Sequence, residues 1–133
     1  MPHILGIGTD IEEISRFHKH IIPDASVSDL IRDIFTPEEI TRNLSSENPY
    51  LCLALGFSCK ESVFKALGRS WMNAPITWKE IECVFHGKPE NKGYEIRLSG
   101  GALNLFQELG GKRIESELEI KNDHVVFRVI LWK

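Results

Sequence analysis

No run of about 18 apolar residues, the least that a membrane-spanning helix needs, occurs in this 133-residue sequence. The opening Met1-Pro2-His3 carries no basic stretch leading into an apolar one, so no secretory leader is expected. A large excess of one charge sign is missing as well. A formal net charge of −3 offers no global attraction to nucleic acid or to an anionic membrane, so any anionic ligand must be held locally. Cysteine is sparse: Cys52 and Cys59 fall two turns apart on a helical reading, too far for a disulfide, and Cys83 stands alone. With no C-x-x-C pair and no His at ligand spacing from a Cys, no zinc site is expected. All three cysteines read as small buried hydrophobes of a cytoplasmic protein. Internal repeats, linkers and low-complexity tracts are absent too, so residues 1–133 read as one domain.

What is present can build a core, since 42% of the residues are hydrophobic and 26% are charged. His3–Thr9 reads as a strand interrupted by two glycines, followed by a short helix over Ile11–Ile21 with Asp10 as its N-cap. Ser26–Ile34 has a helical pattern. Thr36-Pro37-Glu38-Glu39 marks another helix start, with Thr36 as N-cap, Pro37 at the first position and Glu39 closing a capping box. The longest helix runs over Asn48–Leu67 and ends at Gly68. Strands follow at Trp78–Phe85 and Gly93–Leu98, then a helix at Gly101–Leu109. A hairpin of Arg113–Ile120 and His124–Trp132 turns at Asn122-Asp123. The expected class is α+β, with a mostly antiparallel sheet packed against a long central helix.

Two patterns could carry chemistry. In Gly6-Ile7-Gly8-Thr9-Asp10, strand alternation places Gly6, Gly8 and Asp10 on one face. Two positions without side chains leading to a carboxylate leave room for a ligand, or for a helix packed on the glycines while Asp10 caps the next helix. A dinucleotide fingerprint is excluded, because Ile11 occupies the place of its last glycine. In the long helix, Glu61 lies about 40° from Phe57 at about 100° per residue, so it points towards the apolar stripe. Lys65, four residues on, could pair with it as an ordinary surface bridge. Taken together, a strand-end carboxylate and a helix carboxylate beside lysines suit a magnesium–pyrophosphate site, since Mg²⁺ takes one or two carboxylates plus phosphate and water oxygens.

These blocks resemble a known family. Gly6-Ile7-Gly8-Thr9-Asp10-Ile11, Phe35-Thr36-Pro37-x-Glu39 and Lys60-Glu61-Ser62-x-x-Lys65-Ala66-Leu67-Gly68 follow the order and spacing of holo-acyl-carrier-protein synthases. Trp78-x-x-Ile81-Glu82, Gly87-Lys88-Pro89 and Leu98-Ser99-Gly100-Gly101-Ala102 extend the likeness over nearly the whole chain. The resemblance is to the short, single-unit branch of the 4'-phosphopantetheinyl transferase superfamily. It implies transfer of phosphopantetheine from coenzyme A to a serine of an apo acyl carrier protein, with release of 3',5'-adenosine bisphosphate.

On this sequence the resemblance makes Asp10 and Glu61 the ligands of Mg²⁺, with Glu12 as a third carboxylate. Lys65, Lys60 and Gly68 fall to coenzyme A, and Glu61 is also the candidate base. Arg16 corresponds to a contact with the carrier's acidic helix, which Lys19, His18 and His20 could extend; ordinary cations at a helix C-terminus are the other reading. A homotrimer is implied as well.

Three places depart from the family pattern. Leu55 and Gly56 stand where an Arg or Trp precedes the Lys-Glu pair, and Arg69-Ser70-Trp71-Met72 replaces a small, Gly-rich loop. The late Ser/His block reads Ile114-Glu115-Ser116-Glu117-Leu118-Glu119-Ile120, without a histidine, and His124 lies beyond the turn. Alternation makes this an apolar-in, acid-out strand. Such a row of acids near the phosphates would repel coenzyme A unless the acids face away or bind extra metal.

Overall fold

The computed structural model describes residues 2–22, 26–69 and 76–133. Strand β1 (Ile4–Glu13) leads into a 3₁₀ segment, Ile14–His20, and a short pair, β2 (Ile21–Ile22) and β3 (Ser26–Val27). Helices α1 (Asp29–Ile34), α2 (Pro37–Leu44) and α3 (Pro49–Ala66) follow. Beyond them come β4 (Ile81–Phe85), β5 (Tyr94–Leu98), α4 (Gly100–Glu108) and the hairpin β6 (Arg113–Lys121) and β7 (His124–Trp132). Among the described residues every strand pairing is antiparallel: a three-stranded sheet in the order β1-β7-β6, and two separate pairs, β2-β3 and β4-β5. The α+β expectation holds.

Helix α3 lies at the centre because its sequence allows nothing else. Twelve of its residues are buried, on every side of the helix, and a helix that is apolar nearly all round has to be enclosed. One side lies on β1 and β7, whose Val125, Phe127, Val129 and Leu131 are fully buried; another meets β4 and α2. Cys52, Cys59 and Cys83 are buried in this core. At the start of α2 the predicted capping box forms: Glu39 N donates to Thr36 Oγ1 at 3.1 Å, and Thr36 N donates to Glu39 Oε1 at 3.0 Å.

The structure departs from the expected elements in three places, two of them by tertiary pairing. The helix expected over Ile11–Ile21 is reduced to the 3₁₀ segment Ile14–His20. Strand β1 runs on to Glu13 because Ile11, Glu12 and Glu13 pair with Val126, Val125 and His124 of β7, so Asp10 is a strand residue and not an N-cap. The helix expected over Ser26–Ile34 starts only at Asp29, capped by Ser28, because Ser26 and Val27 pair with Ile22 and Ile21. Trp78–Glu80 is a 3₁₀ turn, opened by a capping box between Thr77 and Glu80, and the strand begins at Ile81.

Candidate active site

The glycines of β1 are there for the central helix. A Cβ on Gly6 would stand 1.8 Å from the carbonyl oxygen of Ala66, and one on Gly8 would stand 1.8 Å from that of Ser62. No side chain fits at either position, so α3 rests directly on the strand backbone. Small residues four apart on the helix (Ser58, Ser62 and Ala66) match the glycines, a spacing that was readable in the sequence. Ser58 Oγ donates to the Asp10 carbonyl at 3.0 Å, and Ser62 Oγ to the Phe127 carbonyl at 2.9 Å. Of the two readings of the glycine face, the packed helix is the one seen: α3 covers the glycines, and Asp10, the next residue on that face, meets the same helix instead of capping another.

Asp10 is nearly enclosed, with its side chain 11% exposed. Lys65 Nζ donates to its Oδ1 at 3.1 Å and to the Thr9 carbonyl at 3.0 Å. The ion pair thus runs from helix to strand, where the sequence allowed a Glu61–Lys65 bridge along the helix. Oδ2 of Asp10 is buried and receives no hydrogen bond from any described residue. Two further carboxylates share this environment. Burial raises the pKa of Glu61, the Asp10 charge adds to the rise, and Lys65 opposes it. Glu12 is pushed up to about 7, first by burial and then by the charge of Asp10, while Arg16 pulls the other way.

This donor set fits a divalent cation. Three carboxylates that repel one another, one with a buried and unsatisfied oxygen, are short of positive charge. A proton on Glu12 is one way to supply it, and a hard cation is another. Among the described residues no three His, Cys, Asp or Glu side chains are gathered into a ready-made cage. An ion held by only two of these carboxylates would complete its shell with water and substrate oxygens.

Lys60 has to be reassigned. Its side chain is 0% exposed, and its ammonium donates to Glu39 Oε1 at 2.9 Å, to the Trp78 carbonyl at 3.0 Å and to the Ile81 carbonyl. With all three protons spent inside the protein, it is not available to a phosphate. Its partner Glu39 also accepts from Cys83 N at 3.3 Å, so one capping residue ties α2, α3 and β4 together, a role the sequence did not reveal. Gly68 closes α3 with φ at 71° in open space, next to a bond from Arg69 N to the Phe64 carbonyl. Residues 70–72 of the departed loop lie outside the described residues. Arg16 is exposed on the 3₁₀ segment. On β6, Glu115, Glu117 and Glu119 are exposed and point away from the core; Glu115 meets Arg113, while Glu117 and Glu119 meet Arg128. The acids face away from α3, as expected.

The family model of the 4'-phosphopantetheinyl transferase superfamily matches residues 6–126. The chain belongs to this superfamily. It is 37% identical over 130 residues to the holo-[acyl-carrier-protein] synthase of Trichlorobacter lovleyi, covering 96% of this chain and 97% of that one. Its fold matches the crystal structure of the Neisseria meningitidis holo-[acyl-carrier-protein] synthase with a TM-score of 0.77, at 24% identity over 97% of this chain and 98% of the other. It also matches the Bacillus anthracis synthase, solved in complex with CoA (3',5'-ADP), with a TM-score of 0.68 at 21% identity, covering 97% and 96% of the two chains. The chain is therefore a phosphopantetheinyl transferase of the holo-acyl-carrier-protein synthase type.

Proposed function

We propose that this protein transfers the 4'-phosphopantetheine group of coenzyme A to a serine of an apo acyl carrier protein, with Mg²⁺, releasing 3',5'-ADP. The observation that carries the reading is the buried, unsatisfied Oδ2 of Asp10, set among Glu12, Glu61 and Lys65. Asp10 and Glu61 would hold the ion, with Glu12 as a third carboxylate. Mg²⁺, when bound, neutralises the charge that builds on the pyrophosphate during phosphoryl transfer. Lys65 is half exposed, so its ammonium can serve a phosphate oxygen as well as Asp10. Glu61, whose pKa is raised by burial and by Asp10, is suited to take the proton of the attacking serine. Arg16 and Lys19, both exposed, supply cations for an acidic segment of the carrier.

A second copy of the chain would cover the outer face of the main sheet, where Ile7 and Ile11 are 58% and 60% exposed; a homotrimer is the assembly we propose. Three unpaired, buried thiols suit the reducing cytoplasm. No helix among the described residues is long and apolar enough to cross a membrane.

A second reading is favoured by β6, where acids stand in place of the family's histidine: the chain binds coenzyme A or a carrier without transfer. Incubation with coenzyme A, Mg²⁺ and several apo carrier proteins, followed by intact mass, separates the two. A phosphopantetheine mass gain on a carrier supports the enzyme. Saturable binding of coenzyme A or a carrier with no gain supports the binder.

A further inference from the structure

The 3₁₀ segment Ile14–His20 carries the exposed cations Arg16 and Lys19, and its own sequence does little to hold it. Its N-cap residue, Glu13, makes no side-chain capping bond, and 3₁₀ runs of this length are uncommon because their hydrogen bonds are poorly aligned. Three contacts fix it from outside. Phe17 is buried, with its ring 5.9 Å from that of Phe57. At the far end, Ser28 N donates to the His20 carbonyl at 2.9 Å, and His20 Nδ1 lies 2.9 Å from Ser28 Oγ.

The near end is held by a residue 108 positions away. Asp123, in the turn between β6 and β7, accepts from Ile14 N through its carbonyl at 2.7 Å. Its carboxylate accepts from Ser15 N at 3.1 and 3.3 Å. Ser15 Oγ also lies against this carboxylate, and 2.9 Å from Glu13 Oε1, so its single proton serves one acid at a time. Asp123 thus does in trans what an N-cap side chain does locally: it satisfies the first amides of the segment.

We infer that Asp123 is a positioning residue for the carrier, acting through Ser15 on Arg16. The inference rests on the carrier-docking part of the proposed function. Asp10 and Glu12 belong to β1, which β7 holds by an unbroken ladder from Gly6 to Glu13, and Glu61 belongs to the enclosed α3. Loosening the start of the 3₁₀ segment therefore displaces Arg16 and Lys19 and leaves the carboxylates in place.

Steady-state transfer with wild type, Asp123→Ala and Asp123→Asn tests this. Asp123→Ala is expected to raise the KM for the apo carrier roughly fivefold, as for loss of one cap, with kcat and the KM for coenzyme A unchanged. Asp123→Asn keeps an oxygen for Ser15 N and is expected to restore the wild-type KM. An unchanged carrier KM in Asp123→Ala, an equal loss in both KM values, or no rescue by Asn overturns the inference while leaving the proposed function standing. Absence of transfer by the wild type overturns the proposed function, and this inference with it.

Discussion

Lys65 reaches from the central helix to the strand and sets its ammonium 3.1 Å from Oδ1 of Asp10. The pair joins the two halves of the candidate site, which the sequence supplies from separate blocks. It also leaves Lys65 half exposed, with room to turn to a ligand. Lys65→Met is expected to lower kcat/KM roughly 10- to 100-fold, the loss typical of one charge-assisted hydrogen bond. Its melting temperature should fall by only a few degrees in Mg²⁺, less than for Lys60→Met, because the lysine end of the pair is half exposed while Asp10 is nearly enclosed. Transfer kinetics alongside thermal melts check both halves.

Lys60 should behave in the opposite way. Lys60→Met leaves Glu39 buried at 1% exposure without its partner, which costs roughly 3–5 kcal/mol in urea unfolding. The double variant Lys60→Met, Glu39→Leu should recover part of that loss, because two apolar groups replace the pair. A stable Lys60→Met with only a weakened affinity for coenzyme A would contradict the structural assignment.

Glycine substitutions discriminate close approach from backbone conformation. Gly8→Ala would drive a methyl group into the Ser62 carbonyl, and since neither backbone can yield cheaply, a loss at or above the usual ~1–3 kcal/mol of overpacking is expected. Gly68→Ala meets open space but sits at φ 71°, so only about 1–2 kcal/mol for a left-handed residue is expected. Denaturant titrations should rank Gly8→Ala as the more damaging.

The carboxylate cluster predicts a pH signature of the metal-free protein. The pKa of Glu12 is raised in the folded state from 4.5 to about 7, so the folded state binds more protons than the unfolded chain over that interval. The stability this contributes is fully present below pH 4.5 and is lost as pH rises through about 7. In EDTA the melting temperature should fall more steeply between these values in wild type than in Glu12→Gln. Added Mg²⁺ should raise it more at pH 7.5 than at pH 5.5. A Glu12→Gln profile that parallels wild type would contradict the shared environment of Asp10, Glu12 and Glu61.

Much of this was legible in the sequence, and the exceptions share a cause. The capping box at Thr36, the long helix ending at Gly68 and the acid-out strand β6 are set by nearby residues, and each appears as expected. The end of β1 is set by β7, more than a hundred residues away, and the local signal at Asp10 pointed to a helix instead. Lys60 was misread for a similar reason. A lysine beside Glu61 suggests phosphate binding until Glu39 and the Trp78 and Ile81 carbonyls are seen to enclose it. Alternation and helical phase drew attention to Asp10 and Glu61, and the family resemblance made them metal ligands; the buried, unsatisfied oxygen of Asp10 could only come from three dimensions.

The central claim is that Asp10 and Glu61 hold the metal ion on which transfer depends. It is tested most directly by intact mass of an apo carrier after incubation with coenzyme A and wild type, Asp10→Ala or Glu61→Ala, each with Mg²⁺ or with EDTA. The account predicts a phosphopantetheine mass gain for wild type with Mg²⁺, and none with EDTA or with either folded variant. A gain that persists in EDTA, or in Asp10→Ala, would contradict it.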